Sequence, residues 1–364
     1  MKKFIAPMML SCLMIVVLAQ QSLPAGQIII DTITSEALRG NKLGDPDTRN
    51  MAIYLPPSYD ESDYSYPVIY LLHGFGGDEG SFVGELGDTS TVDLLDLLIG
   101  VGLLKEAIIV LPDGSNKYGG SYYLNSELIG NYEDYIAYDL VNFIDENYRT
   151  IPDRSGRIIG GASMGGYGCI SLAMKHPEIF SAVASMSPPL GFDVIAEMMI
   201  PEVVAENPNG MTGPGPDAGQ FTSYMYALSA ALSPNLDNPP YFVDMPFEYP
   251  NLEIIESVRQ RWLVGDPITM LNNDSSSLKK MSGIYIDVGT EDLPGFKQAA
   301  DAFHQALVEM NIQHEYNVYE GDHYAKEVER ATSSLTFISA LLPTATTGVR
   351  HDSKLAITWG AMKR

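Results

Sequence analysis

The sequence reads Gly161-Ala162-Ser163-Met164-Gly165 directly after the apolar run Arg157-Ile158-Ile159 and directly before a helix-compatible stretch from Gly166 to Lys175. This order predicts a strand that turns abruptly into a helix, with a serine at the turn. Such a turn crowds the backbone, so the positions beside the serine can carry little or no side chain, as the glycines allow. We therefore expect Ser163 to stand out at the strand end as a nucleophile. Taken alone, the pentapeptide is also compatible with a surface turn.

A serine in Gly-x-Ser-x-Gly between a strand and a helix is typical of the nucleophile elbow of α/β-hydrolases. A nucleophilic serine needs a base, and in these proteins the base follows both the serine and the acid in sequence. The chain has six histidines, at His73, His176, His304, His314, His323 and His351. The first two are excluded by chain order, and His304, His314 and His351 fall in a helical pattern, at a strand start and in a polar tail. His323 lies in the turn after the predicted strand Glu315 to Tyr319. It is the predicted base, with a solvated loop histidine as the alternative.

The acid is expected between the serine and the base, on a loop after a strand. Residues Gly283 to Val288 predict a buried strand, and the turn cluster after it contains Asp292, which we assign as the acid. Glu291, Asp287 and Asp322 remain alternatives. In the working triad, Asp292 would fix the tautomer of His323, which would take the proton of Ser163 and return it to the leaving alcohol.

Acyl transfer also needs hydrogen-bond donors for the developing oxyanion. The segment from Tyr66 to Gly77 predicts a buried strand that runs into a glycine-rich loop, in the place where this fold puts its second donor. The backbone N–H groups of Phe75 and Met164 are the predicted pair. His73 is expected to hold this loop through a hydrogen bond.

Three segments carry a family resemblance. They are Tyr66 to Gly77, Asn131-Tyr132-Glu133-Asp134-Tyr135 with the following helix to Thr150, and Gly161 to Gly166. Together they resemble the putative esterase family, which groups esterase D and S-formylglutathione hydrolase proteins with feruloyl esterases and mycolyltransferases of the antigen 85 type. The resemblance spans roughly residues 40 to 190 and 280 to 342. It implies the same nucleophile, acid, base and oxyanion amides.

The sequence departs from the family pattern in two places. Tyr324 and Ala325 follow the predicted base, where the family commonly has an aromatic segment that often contains tryptophan. About 94 residues intervene between Pro188 and Gly283. These departures leave the predicted chemistry intact and leave the substrate open.

The predicted architecture is α/β, an α/β-hydrolase fold with a mostly parallel central sheet flanked by helices, over residues 26–343. Strands are expected near Gln27 to Thr32, Met51 to Leu55, Val68 to Leu72, Ala107 to Leu111, Arg157 to Gly160, Ala182 to Met186, Ile284 to Val288 and Glu315 to Tyr319. Apolar runs separated by helices indicate strands that are buried on both faces. The first two strands lack an intervening helix and are expected to pair antiparallel.

Residues 190–273 predict a helical insertion that acts as a lid or pocket wall, with a rigid buttress as the alternative. Helical pieces are expected at Phe192 to Met199, Tyr224 to Leu232 and Asn251 to Trp262. Its apolar residues would line a cleft or form the insertion's own core. They are Met198, Met199, Phe221, Tyr224, Met225 and Tyr226.

An aromatic loop follows the strand that ends at Leu111 and contains Tyr122, Tyr123 and Asn125. It falls at the carboxyl edge of the sheet, where open α/β folds bind ligands. We expect these three residues to contact the substrate. The alternative is that the tyrosines only cover the apolar floor.

The ends of the chain and its charge suggest where the protein acts. Met1-Lys2-Lys3 and the apolar run Phe4 to Ala19 predict a cleaved export signal within residues 1–25, and thus a secreted or periplasmic protein without stable membrane insertion. The tail, residues 344–364, has no sustained apolar period and is expected to be poorly ordered or a late appendage. The formal net charge of −24 becomes −26 without Lys2 and Lys3, which excludes nucleic acid as a partner.

The motifs predict no metal and no cofactor. No cluster of His, Cys and carboxylate has metal-ligand spacing, and no phosphate-binding glycine loop is present. The leading hypothesis is an exported serine carboxylesterase for small-molecule esters, with a short acyl or feruloyl-type group. An acyltransferase or a thioesterase of the S-formylglutathione hydrolase type, and a non-catalytic binding protein, are the alternatives. The sequence predicts no oligomeric state.

Overall fold

A computed structural model describes residues 25–83, 85–86 and 89–347. The predicted export signal therefore lies outside the described residues, apart from Ala25. Most of the predicted tail lies outside them as well. Within its first residues, Thr346–Thr347 pair antiparallel with Tyr64–Ser65, so the chain still packs on the domain at this point.

The centre of the described structure is an eight-stranded sheet in the order β1-β2-β4-β3-β5-β6-β7-β8. The strands are β1 (Gln27–Thr34), β2 (Thr48–Leu55), β3 (Val68–Leu72), β4 (Ile108–Pro112), β5 (Arg157–Ala162), β6 (Ala182–Met186), β7 (Ile284–Glu291) and β8 (Glu315–Asp322). Strand β2 runs antiparallel to both β1 and β4, and the other neighbours are parallel. All eight predicted strands and the antiparallel first pair are confirmed.

Eleven α-helices of the described residues connect and cover these strands. They are α1 (Thr91–Gly100), α2 (Tyr132–Asp134), α3 (Val141–Asn147), α4 (Met164–Lys175), α5 (Phe192–Glu206), α6 (Gln220–Leu232), α7 (Glu256–Val264), α8 (Pro267–Asn273), α9 (Ser276–Lys279), α10 (Phe296–Glu309) and α11 (Glu327–Leu341). The π-helical turns Tyr135–Leu140 join α2 to α3. Shorter pieces are the 3-10 turns Glu79–Phe82 and Arg154–Gly156 and three two-residue hairpins, Glu85–Leu86 with Thr89–Ser90, Asn125–Ser126 with Gly130–Asn131, and Phe247–Glu248 with Glu253–Ile254.

The central strands are apolar throughout because both faces of the sheet are covered. Successive residues of a strand point to opposite faces. In β3, accordingly, Tyr70 joins the core beneath α4 and α10, whereas Ile69 joins the core beneath α1 and α11. This two-sided burial is what makes the strands readable as continuous apolar runs. Because β3 to β8 run parallel, their carboxyl ends lie at one edge of the sheet.

The insertion is helical, as predicted, but its third helix starts later. Helix α7 begins at Glu256, because Glu253–Ile254 pairs with Phe247–Glu248 in a hairpin and is extended. The prediction of helix from Asn251 was therefore wrong for its first five residues. Met199 and Met225 are fully buried and belong to the main core, so these two residues hold the insertion on the sheet layer.

Candidate active site

Ser163 occupies the turn between β5 and α4 in a strained backbone conformation, with φ of 55° and ψ of −118°. A non-glycine residue rarely adopts positive φ, and such strain persists only where the surroundings impose it. Here close backbone packing imposes it: a Cβ at Gly161 would lie 2.5 Å from the carbonyl oxygen of Gly165, and one at Gly165 would strike the carbonyl of Leu72. The Ser163 amide also donates to the Met186 carbonyl at 2.8 Å. The glycines of the motif are therefore required by space.

The predicted base and acid meet in a buried pair. His323 Nδ1 lies 2.5 Å from Asp292 Oδ1, and the side chains are 7% and 0% exposed. Asp292 also accepts from the amides of Gly289 at 3.1 Å and Leu293 at 2.8 Å. Burial alone would raise the pKa of Asp292, but the hydrogen bond from His323 and these amides hold that pKa below its usual value. An ionised Asp292 accepts a hydrogen bond from the Nδ1–H of His323, which leaves Nε2 without a proton and able to act as a base.

Ser163 and His323 line one cavity of about 360 Å³. Asp292 lies behind His323 and does not reach the cavity wall. The wall consists of Gly74, Phe75, Gly77, Ser81, Ala162, Ser163, Met186, Ser187, His323, Tyr324, Glu327, Arg330 and Ala331. The structure thus brings the three predicted triad residues together at the carboxyl edge of the sheet.

The three other candidate carboxylates are engaged elsewhere. Asp287 is paired with Arg330 at 2.9 Å. Asp322 accepts from the amide of Tyr324 at 3.0 Å and so caps its own loop. Glu291 is exposed at the end of β7. The geometry therefore selects Asp292 as the partner of the base.

The loop after β3 lies directly against the nucleophile. A Cβ at Gly74 would be 3.4 Å from the Cβ of Ser163, and Phe75 forms part of the cavity wall. Met164 is the first residue of α4, so its amide is one of the helix N–H groups that have no intrahelical acceptor. The two residues predicted as oxyanion donors therefore flank Ser163 on the loop side and on the helix side.

His73 fastens this loop, as the sequence predicted. The Gly114 amide donates to Nε2 at 2.8 Å, so the proton is on Nδ1, which lies 2.8 Å from the carbonyl of Gly74. Burial lowers the pKa of His73, which favours this neutral form. His73 thereby ties the loop after β3 to the residues that follow β4.

The aromatic loop lies beneath the site, away from the cavity wall. Tyr123 is fully buried, and its hydroxyl donates to the carbonyl of His73 at 3.0 Å. Tyr122 is 4% exposed and packs edge-on against Tyr167. Asn125 is exposed and caps the amide of Asp134. The structure does not bring Tyr122, Tyr123 or Asn125 to the cavity; the two tyrosines form part of its support.

Two tyrosines lie at the cavity or beside its wall. Tyr224 of α6 packs edge-on against Phe75 with ring centroids 4.6 Å apart, and its hydroxyl accepts from Gln220. Tyr324 follows the base, lines the cavity and is 59% exposed. The sequence named Tyr224 among the residues that would line a cleft or form the insertion's own core, and its packing against Phe75 places it beside the cavity wall.

The described residues contain no group of three or more His, Cys, Asp or Glu side chains that could hold a metal ion. Across the same residues, no helix is both long and apolar enough to cross a membrane.

Comparisons with known proteins agree with this architecture. Esterase Rv1288 of Mycobacterium tuberculosis is 36% identical over 144 residues, which are 38% of this chain and 28% of that protein. An endo-1,4-beta-xylanase/feruloyl esterase of Xylanibacter ruminicola is 31% identical over 135 residues, 35% of this chain and 18% of that protein. The chain therefore matches less than a third of the length of these relatives.

Two solved structures resemble the chain over most of its length. A ferulic acid esterase superposes with a TM-score of 0.62 at 20% identity, over 87% of this chain and 100% of that chain. An S-formylglutathione hydrolase from Agrobacterium tumefaciens superposes with a TM-score of 0.58 at 18% identity, over 88% and 97%. The fold is that of the α/β-hydrolases. The family described as "Putative esterase" matches residues 45–345, and the chain belongs to this family.

Proposed function

We propose that the protein is an exported serine carboxylesterase that forms an acyl-enzyme on Ser163. The observation that carries the proposal is the buried pair of His323 and Asp292, in which His323 lines the same cavity as a serine held at a strained elbow. Strain of this kind is retained where function depends on it. A binding protein of the same fold would need neither the strain nor the ordered pair.

The chemistry follows from the arrangement. Nε2 of His323 takes the hydroxyl proton as Ser163 attacks the ester carbonyl, and Asp292 stabilises the imidazolium that forms. The amides of Phe75 and Met164 donate to the oxyanion of the tetrahedral intermediate. The imidazolium then protonates the departing alcohol. Water then attacks the acyl-enzyme, with His323 again taking and returning the proton, which releases the carboxylic acid and regenerates Ser163.

The cavity supports a small ester as the substrate. Its volume of about 360 Å³ lies at the low end of the range for ligand sites, which is roughly 300 to 1,000 Å³. Its wall combines the apolar Phe75 and Met186 with the polar Ser81 and Glu327. We therefore expect short acyl chains or a single aromatic ring, such as a feruloyl group, to be preferred over long chains.

Export is proposed from the basic and then apolar start of the sequence. The excess of acidic residues, 46 against 22 basic, is consistent with a soluble protein outside the cell. Fractionation of the expressing cells, with N-terminal sequencing of the released protein, would test it. Recovery of the intact N-terminus from the cytosol alone would contradict export.

The activity is tested with p-nitrophenyl esters from acetate to decanoate and with methyl ferulate. Wild type is compared with Ser163→Ala and with Ser333→Ala, a control on the exposed face of α11 whose hydroxyl donates only to the Glu329 carbonyl. We expect Ser163→Ala to lose at least about 10³-fold in kcat, as removal of a triad nucleophile does, and Ser333→Ala to match wild type. Mass spectrometry of the protein after an activated fluorophosphonate should show one adduct, on Ser163.

Two results would overturn the proposal. An inactive wild type that also fails to react with the fluorophosphonate would favour a binding protein. Full activity in Ser163→Ala would mean that another nucleophile is used.

A further inference from the structure

Arg330 is buried beside the predicted base, and the mechanism above gives it no role. It lies on the first turn of α11, and its side chain is 9% exposed. All five of its N–H donors have acceptors. They are the carbonyls of His323 (3.1 Å) and Ala325 (3.4 Å), Ser187 Oγ (2.6 Å), and Asp287 Oδ1 (2.9 Å) and Oδ2 (3.4 Å).

Two of these bonds hold the backbone that carries the base. His323 and Ala325 belong to the short link between β8 and α11, where Lys326 adopts a left-handed conformation with φ of 56°. Within the link, the amides of Tyr324 and Ala325 donate to Asp322 Oδ1 at 3.0 Å and to the Asp322 carbonyl at 3.3 Å. Nη1 of Arg330 donates to the carbonyls of His323 and Ala325 from within the fold, so the side chain holds both ends of the link in place.

The other bonds fix Arg330 to the sheet. Asp287 is in β7 and only 1% exposed, and Ser187 follows β6 with φ of 44°, held by the Asp287 carbonyl at 3.0 Å. Ser187 Oγ also meets the Tyr319 hydroxyl at 2.8 Å, and the guanidinium carbon lies 4.3 Å from the centre of the Tyr319 ring. Arg330 thus connects the ends of three strands to the link that bears His323.

This geometry argues against two other roles. Arg330 lines the cavity, but a substrate carboxylate would have to displace an existing acceptor, since no N–H group is spare. Stability alone is also a weak reason for the pair, because replacing a buried ion pair by apolar residues is often neutral or stabilising. A rigid fork with five directed donors is suited to fixing positions.

We propose that Arg330, with Asp287 as its counter-ion, is a positioning residue that holds His323 where its imidazole can serve Ser163. This proposal rests on the proposed function. A displacement of about 1 Å at a catalytic group can reduce the rate about 10²-fold. Loss of the hydrogen bonds from Arg330 to the link should therefore lower kcat. Substrate binding should change little, because Arg330 has no free donor for the substrate.

The test compares Arg330→Ala and Arg330→Lys with wild type, and with Arg259→Ala as the control. Arg259 forms a bidentate pair with Asp193 on the insertion, with Nε 2.8 Å from Oδ1 and Nη2 2.5 Å from Oδ2, and it does not line this cavity. We expect kcat for Arg330→Ala to fall about 10²-fold with KM within about threefold. Guanidinium chloride, at concentrations too low to unfold the protein, should raise the kcat of Arg330→Ala about tenfold and should not raise that of the other proteins. The reason is that the space left by the arginine side chain opens to the cavity. Arg259→Ala should match wild type with and without guanidinium.

A folded Arg330→Ala with kcat within about threefold of wild type would overturn the proposal. A second result would also overturn it: a loss of kcat that guanidinium does not reverse and that Arg330→Lys shows in full, with both variants lowering the melting temperature equally. That pattern would mean that Arg330 only stabilises the fold. If Arg330→Ala does not fold, Arg330→Lys decides between the outcomes, because a lysine ammonium reaches fewer of the acceptors. Full kcat in Arg330→Lys would overturn the positioning role, and a selective loss of kcat would support it.

A measurement without turnover separates this proposal from the proposed function. The short Nδ1–H···Oδ1 bond between His323 and Asp292 should give a far-downfield proton resonance that is absent in His323→Gln. In Arg330→Ala this resonance should broaden or disappear, and in Arg259→Ala it should persist. An unchanged resonance in Arg330→Ala would overturn the positioning role, whether or not the wild type hydrolyses esters.

Discussion

His176 should make the stability of the fold depend on pH in the neutral to alkaline range. It directly follows the last residue of helix α4, which begins after Ser163, and its Nε2 lies 3.0 Å from Glu133 Oε1. Burial alone would lower the pKa of His176, but the hydrogen bonds to Glu133 and Glu178 raise it from 6.5 to about 9. The side chains of His176 and Glu133 are only 8% and 13% exposed, so solvent screens the pair weakly.

The sign and size follow from linkage. Because the pKa is higher in the folded chain, the stabilisation is complete below about pH 6.5 and is lost as the pH rises through about 9. Each pH unit of difference is worth about 1.4 kcal/mol. The pKa change therefore corresponds to a contribution of at most about 3.5 kcal/mol to the free energy of unfolding, before any reduction by solvent screening.

The assay is urea unfolding of wild type and His176→Gln from pH 6 to pH 10, followed by circular dichroism. The stability difference between the two should be largest near pH 6 and should shrink by about 2 to 3 kcal/mol by pH 10. His304→Gln is the control, since partial burial and His314 lower the pKa of His304 and its contribution is constant above pH 7.5. Parallel pH profiles for wild type and His176→Gln would refute the reasoning.

Three further variants probe the site. Asp292→Asn should lower kcat by about 10³ to 10⁴-fold at pH 7 with the fold intact, because the amide favours the wrong tautomer of His323. Gly165→Ala should lower the urea midpoint sharply or prevent folding, because the new Cβ meets the carbonyl of Leu72. Glu327→Lys should raise kcat/KM for an anionic ester over its neutral analogue several-fold at low salt, since Glu327 is an exposed acid on the cavity wall.

Each of these variants has a matched control. Glu291→Gln changes an exposed neighbour of the acid and should retain full kcat; a comparable loss there would remove the assignment of Asp292. Gly80→Ala places its Cβ 3.1 Å from a flexible Asp78 side chain and should cost far less stability than Gly165→Ala. Glu329→Lys alters the net charge equally on the same helix outside the cavity wall, so an equal shift in preference would assign the effect to global charge.

Much of the fold was predictable because its strands are buried on both faces. Such strands consist of short apolar runs, for example Val68–Leu72 and Ile284–Val288, and these can be recognised from the local sequence. The insertion was less predictable. In the hairpin before α7, cross-strand hydrogen bonds override the helical pattern from Asn251, and those partners are not visible from local propensity.

At the site, chain order and local context were enough to select Ser163 and His323. The choice among Asp287, Glu291, Asp292 and Asp322 was not fixed by sequence, since these residues lie within a few positions of a strand end or beside the base. Register and loop path decide it: Asp287 faces Arg330, whereas Asp292 reaches His323 after the chain has left β7.

The aromatic loop shows the limit of such reasoning. Its tyrosines are correctly placed at the carboxyl edge of the sheet, but left-handed backbone conformations at Tyr122 and Tyr123 accompany side chains that point into the core. Their depth depends on the glycines of α4 and of the loop after β4, at Gly168 and Gly114, which leave room for the Tyr123 ring.

Short-range pattern and chain order were enough to predict the order of strands and helices, the elbow, and the serine and histidine that we propose as nucleophile and base. Three outcomes follow from the folded chain alone: the carboxylate that pairs with His323, the groups that Arg330 binds, and the positions of the tyrosines. Those outcomes depend on distances between residues that are 31 to 143 positions apart, such as His323 with Asp292 and Arg330 with Ser187. Such distances are set by packing of the whole sheet, and no local segment of the chain encodes them.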